Sequence, residues 1–217
     1  MASFALITEG ITDQVFLEAL LNSLFDDVDV NPLQPVRDET DQNRQAGLGG
    51  WERVFEHCQN DEAILSALSI NDYLIIQIDT DCAEHINFGV ALTAHGIDKT
   101  EQQVIDEVKQ LIVRKIRADI YQKHQEQFLF AVAVHSLECW LLVFYANTHN
   151  EADKTKQCAG HLERLLVKKS MCYQKNALCY YQLCSRKQMK SPKDVCGRNQ
   201  SLSIFVADLI RINQSND

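Results

Sequence analysis

The sequence predicts an α/β fold: a mainly parallel sheet flanked by helices, with a C-terminal helical extension. Three observations predict it. Short apolar runs at residues 4–8, 73–78 and 128–134 read as buried strands. Stretches with helical spacing separate them, as right-handed crossovers between parallel strands require. The chain has 217 residues, 46% of them apolar, enough for one compact domain and a small appended part.

The elements follow in order. Residues 4–8 form the first strand and end in the turn Glu9-Gly10. Thr12, with Asp13 beside it, is placed to cap a helix in which Val15, Phe16, Ala19, Leu20, Ser23 and Leu24 recur at helical spacing. Residues 28–36 contain two prolines, so a strand there is short or lies at an edge. The polar stretch 41–50 ends in Gly47-Leu48-Gly49-Gly50 and reads as a mobile loop. Helical periodicity covers 51–68, and the β-branched strand 73–78 runs into Asp79-Thr80-Asp81. A long helix is expected over 99–123, then the strand 128–134, then a helix from Ser136. Residues 1–147 form the catalytic domain in this reading. Residues 148–217, polar and rich in Lys and Cys, form the helical extension, with weak patterns at 161–169, 176–188 and 202–212.

Charge and composition narrow the function. A net charge of −9 argues against a protein that simply coats nucleic acid, whose affinity comes from neutralising phosphates. It suits an enzyme whose site must be acidic to hold divalent ions. No apolar run reaches the ~18 residues of a membrane span, and the start lacks a basic region, so a cytoplasmic protein is expected. The eight cysteines include no Cys-x-x-Cys pair, which leaves zinc poorly served. Free thiols, several of them buried, are expected instead.

Five carboxylates fall where chemistry would put them. Glu9 and Asp13 flank the turn after the first strand, Asp79 and Asp81 end the 73–78 strand, and Glu138 follows the last strand. Ligands of open parallel sheets gather beyond the carboxyl ends of the strands, so all five are expected on one rim. Each has a plainer reading alone, Asp13 as a helix cap and Asp79-x-Asp81 as a polar strand end.

The segment Leu6-Ile7-Thr8-Glu9-Gly10-Ile11-Thr12-Asp13-Gln14-Val15-Phe16-Leu17 resembles the opening of TOPRIM nucleases. Leu74-Ile75-Ile76-Gln77-Ile78-Asp79-Thr80-Asp81 is similar to their second motif. Val132-Ala133-Val134-His135-Ser136-Leu137-Glu138-Cys139-Trp140-Leu141-Leu142 is similar to a third segment of the overcoming-lysogenization-defect nucleases and their small single-domain relatives. The resemblance covers residues 3–142. It implies a Rossmann-like TOPRIM sheet and phosphodiester cleavage of DNA or RNA, tRNA included. It further implies that Glu9, Asp13, Asp79, Asp81 and Glu138 bind Mg²⁺ or Mn²⁺, as two ions, with Glu9, Asp79 and Asp81 catalytic. Two such ions ~4 Å apart would activate water and neutralise the charge of the displacement.

The resemblance also implies a late lysine that stabilises developing charge. Lys168, Lys169, Lys175, Lys187, Lys190 and Lys193 are candidates that spacing does not separate. The small relatives often act beside an ATPase in defence against phages, so an ATPase partner is implied; this chain has no Gly-x-x-x-x-Gly-Lys-Ser/Thr loop of its own. A homodimer is the default assembly. His135 and His85 are candidate bases or hydrogen-bond donors, Trp51 and Trp140 read as packing residues, and Arg114, Lys115 and Arg117 as a solvated basic helix face. The alternatives are a non-catalytic binding or regulatory subunit of an ATPase complex on the same fold, and phosphoryl transfer on a small nucleotide.

Overall fold

The computed structural model describes residues 1–37, 49–185, 187–189 and 191–215. Strands β1 (Ala2–Ile7), β2 (Val28–Gln34), β3 (Tyr73–Asp79) and β6 (Phe128–Ala133) form a four-stranded parallel sheet in the order β2-β1-β3-β6. Strands β4 (Thr93–Ala94) and β5 (Ile97–Asp98) form a small antiparallel hairpin in the connection after β3. Its exposed two-residue strands carry no period-2 pattern long enough to read from sequence.

The sheet is buried on both faces because alternate strand residues feed two apolar clusters. Phe4, Leu6, Ile75, Leu129 and Ala131 enter one. Ala5, Ile7, Leu74, Ile76, Ile78 and Val132 enter the other. Helix α1 (Ile11–Leu24) and later α6 (Leu137–Tyr145) cover the first face, while α2 (Trp51–Cys58), α3 (Asp61–Ile70), α4 (Glu101–Lys115) and α5 (Ala118–His124) cover the second. The β1-to-β2 crossover runs toward one edge and the later ones toward the other, and crossovers of one hand then put their helices on opposite faces. The proline-bearing β2 is an edge strand, as expected.

Three local expectations are corrected. The periodic stretch 51–68 is two helices, because the Asn60 side chain accepts from Ala63 N at 3.1 Å and starts α3 anew. The stretch 99–123 is broken where Ile116 turns extended and buries itself. Thr12 caps nothing: Gly10 is the N-cap of α1 and no side chain bonds there as a cap. Of the expected loop at 41–50, residues 41–48 lie outside the described residues.

Residues beyond 147 form α7 (His149–Ala152), α8 (Cys158–Lys168), α9 (Ala177–Leu183), α10 (Pro192–Val195) and α11 (Gln200–Ser215). Leu162, Leu166, Tyr180, Phe205 and Leu209 share one apolar cluster with Phe16 and Trp140. Packing of α6 on α8 brings Cys139 and Cys158 to a Cα–Cα distance of 5.0 Å, and they form a disulfide. The expectation of free thiols throughout is therefore corrected; a pair 19 residues apart on facing helices leaves no local spacing signal. The other six cysteines are free. Among the described residues no helix is long and apolar enough to cross a membrane.

Candidate functional site

The strand order reverses between β1 and β3, the position where ligands of open α/β sheets gather beyond the carboxyl ends of the strands. Glu9 sits in the turn after β1 and Asp79 at the end of β3. The Asp79 N–H donates to Glu9 Oε1 at 2.7 Å. Gln77, fully buried, completes a ring: its Oε1 accepts from Glu9 N at 3.1 Å and its Nε2 donates to Asp79 Oδ1 at 2.9 Å. The Leu137 N–H, at the start of α6, donates to the same Oδ1 at 3.1 Å. A helix N-terminus thus points at Asp79, which favours its charged form. Gln77 was missed by sequence reasoning, although a polar side chain inside an otherwise apolar strand was its signal.

Asp13 occupies the third helical position of α1 and its Oδ1 accepts from Thr12 Oγ1 at 3.5 Å. A Cβ on Gly10 would stand 3.2 Å from Asp13 Oδ2, so glycine leaves the room the carboxyl uses.

Glu138, in the first turn of α6, is 3% exposed. Its Oε1 accepts from Tyr180 OH at 2.8 Å and Tyr173 OH at 3.2 Å, and lies 3.1 Å from Lys175 Nζ. All three partners come from the segment around α9, where sequence reasoning singled out Lys175 only as one of six candidate lysines and neither tyrosine. The packing of α9 against α1 carries them here. Among the described residues, Lys175 is the one of the candidate lysines that reaches the site carboxylates; Lys190 lies outside the described residues.

Burial dominates the electrostatics. It pushes Glu9 up to about 8, reinforced by Asp13 and Asp81, against the hydrogen bond from Asp79 N. Burial likewise raises Asp13 to about 7, with Lys175 opposing and Glu138 adding to the rise. Asp79 is lifted well above the carboxylate range by burial, then by Asp13, Glu9 and Glu138. Glu138 moves the other way: burial opposes its charge, but Lys175 and the hydrogen bonds from Ser136 and Tyr180 outweigh it. Lys175 is raised, its desolvation overcome by Glu138 and Asp13. The result is an ammonium paired with Glu138 and within electrostatic reach of three further carboxyls that resist ionising together.

The remaining expected residues lie around this centre. Asp81 is exposed at the lip, within electrostatic reach of Glu9. His135 has a left-handed backbone, φ 68°, uncommon away from glycine. Thr80 holds it there: the His135 N–H donates to Thr80 Oγ1 at 2.8 Å, and Thr80 N donates to Ala133 O and His135 O at 3.1 and 3.0 Å. Thr80, another residue missed, thereby locks the ends of β3 and β6 together. Trp140 is fully buried, as expected, with its Nε1 donating to Ser201 Oγ at 2.8 Å. Trp51 is only partly buried and lies against the exposed His85 ring. The Gly50 N–H just before it donates to Glu9 O at 2.7 Å.

The donor set is all hard oxygen, the chemistry Mg²⁺ and Mn²⁺ prefer, and a bound cation would offset the burial and mutual repulsion that oppose ionisation of these carboxyls. Lys175 already supplies one positive charge at that position. As placed, however, no three His, Cys, Asp or Glu side chains among the described residues converge as a metal cage. Fold and site together define a parallel α/β protein with the buried carboxyls of Asp13, Asp79 and Glu138, and the exposed Lys175 paired to Glu138, near its strand-order reversal. Comparison with protein-family models, curated proteins and solved structures returns no match for the chain.

Proposed function

We propose that this chain is a TOPRIM-type, divalent-metal-dependent endonuclease that cleaves phosphodiesters of DNA or RNA. The observation that carries the reading is the Glu9–Asp79 pair, tied through Gln77 at the strand-order reversal, with Asp13 and the Lys175-paired Glu138 within electrostatic reach. Glu9, Asp13, Asp79, Asp81 and Glu138 would hold the metal. When bound, Mg²⁺ or Mn²⁺ supplies an activated water and neutralises charge on the reacting phosphate.

The chain's own residues have separable tasks. Glu9 and Asp79, locked together through Gln77, are the rigid pair of ligands. Asp13 adds a buried carboxylate that accepts from Thr12 Oγ1. Lys175, charged and anchored on Glu138, places an ammonium where a phosphate would gain negative charge during displacement. Tyr173 and Tyr180 hold the Glu138 carboxylate in position for that anchor. A role beside an ATPase, as effector in antiphage defence, belongs to the same reading and rests on the motif resemblance alone.

One observation favours the alternative, a non-catalytic subunit on the same fold. Lys175 already neutralises Glu138, so part of the cluster is satisfied by protein alone.

The test is cleavage of plasmid DNA and total tRNA in Mg²⁺ or Mn²⁺, with and without a candidate partner ATPase. Wild type is compared with Glu9→Ala, Asp79→Ala/Asp81→Ala and Lys175→Gln. Metal-dependent cutting by wild type, abolished in the carboxylate variants and reduced about a hundredfold or more in Lys175→Gln, is the expected outcome. Wild type that binds no divalent ion and cuts neither substrate overturns the reading in favour of the binding subunit.

A further inference from the structure

Beside the carboxylate cluster lies a row of groups the reading above does not use. Trp51 begins α2, one residue after the Gly50–Glu9 hydrogen bond. Its ring centroid is 5.4 Å from that of the exposed His85, tilted by 52°, so the two rings do not lie flat on each other. Behind it stand Phe55 at 5.6 Å and Phe88 at 5.3 Å, both buried, which fix the indole in place. Lys115 Nζ lies over the Phe55 ring, 5.2 Å from its centroid. Lys115 and Arg114 then line a groove of about 720 Å³ together with Gln59, Arg117 and Tyr121. Arg117 is paired with Asp61 and Asp119. Among the described residues, neither Arg114 nor Lys115 is ion-paired to a carboxylate, in a chain of net charge −9.

An aromatic side chain held rigid at the lip of a site, followed by unneutralised cations, is the arrangement single-stranded nucleic acid uses: bases stack and phosphates meet the charges. A duplex would keep its bases stacked on one another and gain nothing from the rings. We propose that Trp51 and His85 stack an unpaired base, and that Lys115 and Arg114 take the adjoining phosphates, forming a track that leads a single strand into the carboxylate site. This rests on the nuclease reading and adds its substrate class: unpaired strand, as in a nucleic-acid loop, end or bubble.

Short oligothymidylate and oligouridylate, fluorescein-labelled, are titrated against the full chain in Ca²⁺, with the matching blunt duplex as comparison. Trp140 is buried, so quenching of tryptophan fluorescence reports on Trp51. The expected result is quenching by single strands, weaker binding of duplex, and a loss of about tenfold in Trp51→Ala, recovered in Trp51→Phe. His85→Ala, a change at an exposed side chain, weakens binding in the same direction. Lys115→Gln lowers the salt slope by about one phosphate contact. The two oligonucleotides decide whether DNA or RNA is preferred. Melting curves of each variant show that it is folded; should Trp51→Ala unfold, His85→Ala and Lys115→Gln decide.

Failures separate cleanly. Metal-dependent cutting that needs Glu9, combined with unchanged oligonucleotide affinity in folded track variants, overturns the track and leaves the nuclease. So does duplex binding as tight as single-strand binding. A wild type that neither cuts nor binds any oligonucleotide overturns both.

Discussion

Asp13 shows how much one residue's chemistry depends on its neighbour. Its Oδ2 lies only 3.2 Å from where a Gly10 Cβ would stand. Gly10 has φ −147°, an extended backbone that alanine adopts without strain, so glycine is required here by contact and not by conformation. Gly10→Ala is therefore expected to leave the melting temperature near that of wild type while displacing the carboxyl by a few tenths of an ångström. Cleavage should fall about tenfold, since small misplacements at a reacting centre cost more than they do in the fold. A variant that cuts like wild type would remove Asp13 from the set that matters. At this scale the sequence was legible for Glu9, Asp13 and Asp79, because acids directly after buried strands have few structural uses. Lys175 was not legible among its competitors. Its position depends on Ala177 and Tyr180 burying themselves, a packing event no spacing rule encodes. Gln77 and Thr80 act through hydrogen bonds to partners far away in sequence, and so were missed as well.

At the scale of elements, the start of α11 is tied to the site's framework. Ser201, 1% exposed, accepts at Oγ from Trp140 Nε1 at 2.8 Å and from Val134 N at 3.3 Å, and donates to Asn199 Oδ1 at 3.0 Å. Its own N–H donates to Glu101 Oε2 at 3.0 Å, at the first turn of α4. One hydroxyl thus joins the end of β6, helix α6 and helix α11. Ser201→Ala strands two buried N–H groups, and each unsatisfied donor costs about 1–3 kcal/mol. Chemical denaturation should show a loss on the order of 2 kcal/mol or more, while Ser201→Thr keeps the oxygen and recovers part of it. A loss below half a kilocalorie would mean that water reaches these groups and that α11 is a looser attachment. The strands were readable as elements because apolar β-branched runs of that length have one common use. The helix breaks at Asn60 and Ile116 were not, since the apolar spacing continues through each break and only a local cap or a buried turn divides it.

Across the whole molecule, the buried carboxyls make stability depend on pH in a direction opposite to the common one. A group whose folded pKa is raised contributes stability below its unfolded value and loses it as pH rises through the folded value. Glu9, near 8, and Asp13, near 7, with Asp79 raised alongside, bind more protons folded than unfolded. Glu138 is shifted down, so its contribution is present above the ordinary carboxylate value and is lost only on acidification. His57, lowered by burial, opposes the trend below its ordinary value near 6.5. The window from about pH 6.5 to 8 therefore isolates the site acids. In chelator the melting temperature should fall across it, each group contributing at most about 1.4 kcal/mol per pH unit. Glu9→Gln should flatten that fall. Divalent cation favours the ionised carboxylates, so Mg²⁺ or Mn²⁺ should raise the melting temperature more at the upper end of the window than at the lower. A metal-free protein whose stability is level or rising over this range would show that the carboxyls are already ionised, with Lys175 alone balancing them. A cation effect equal at both ends would place binding elsewhere on the acidic surface.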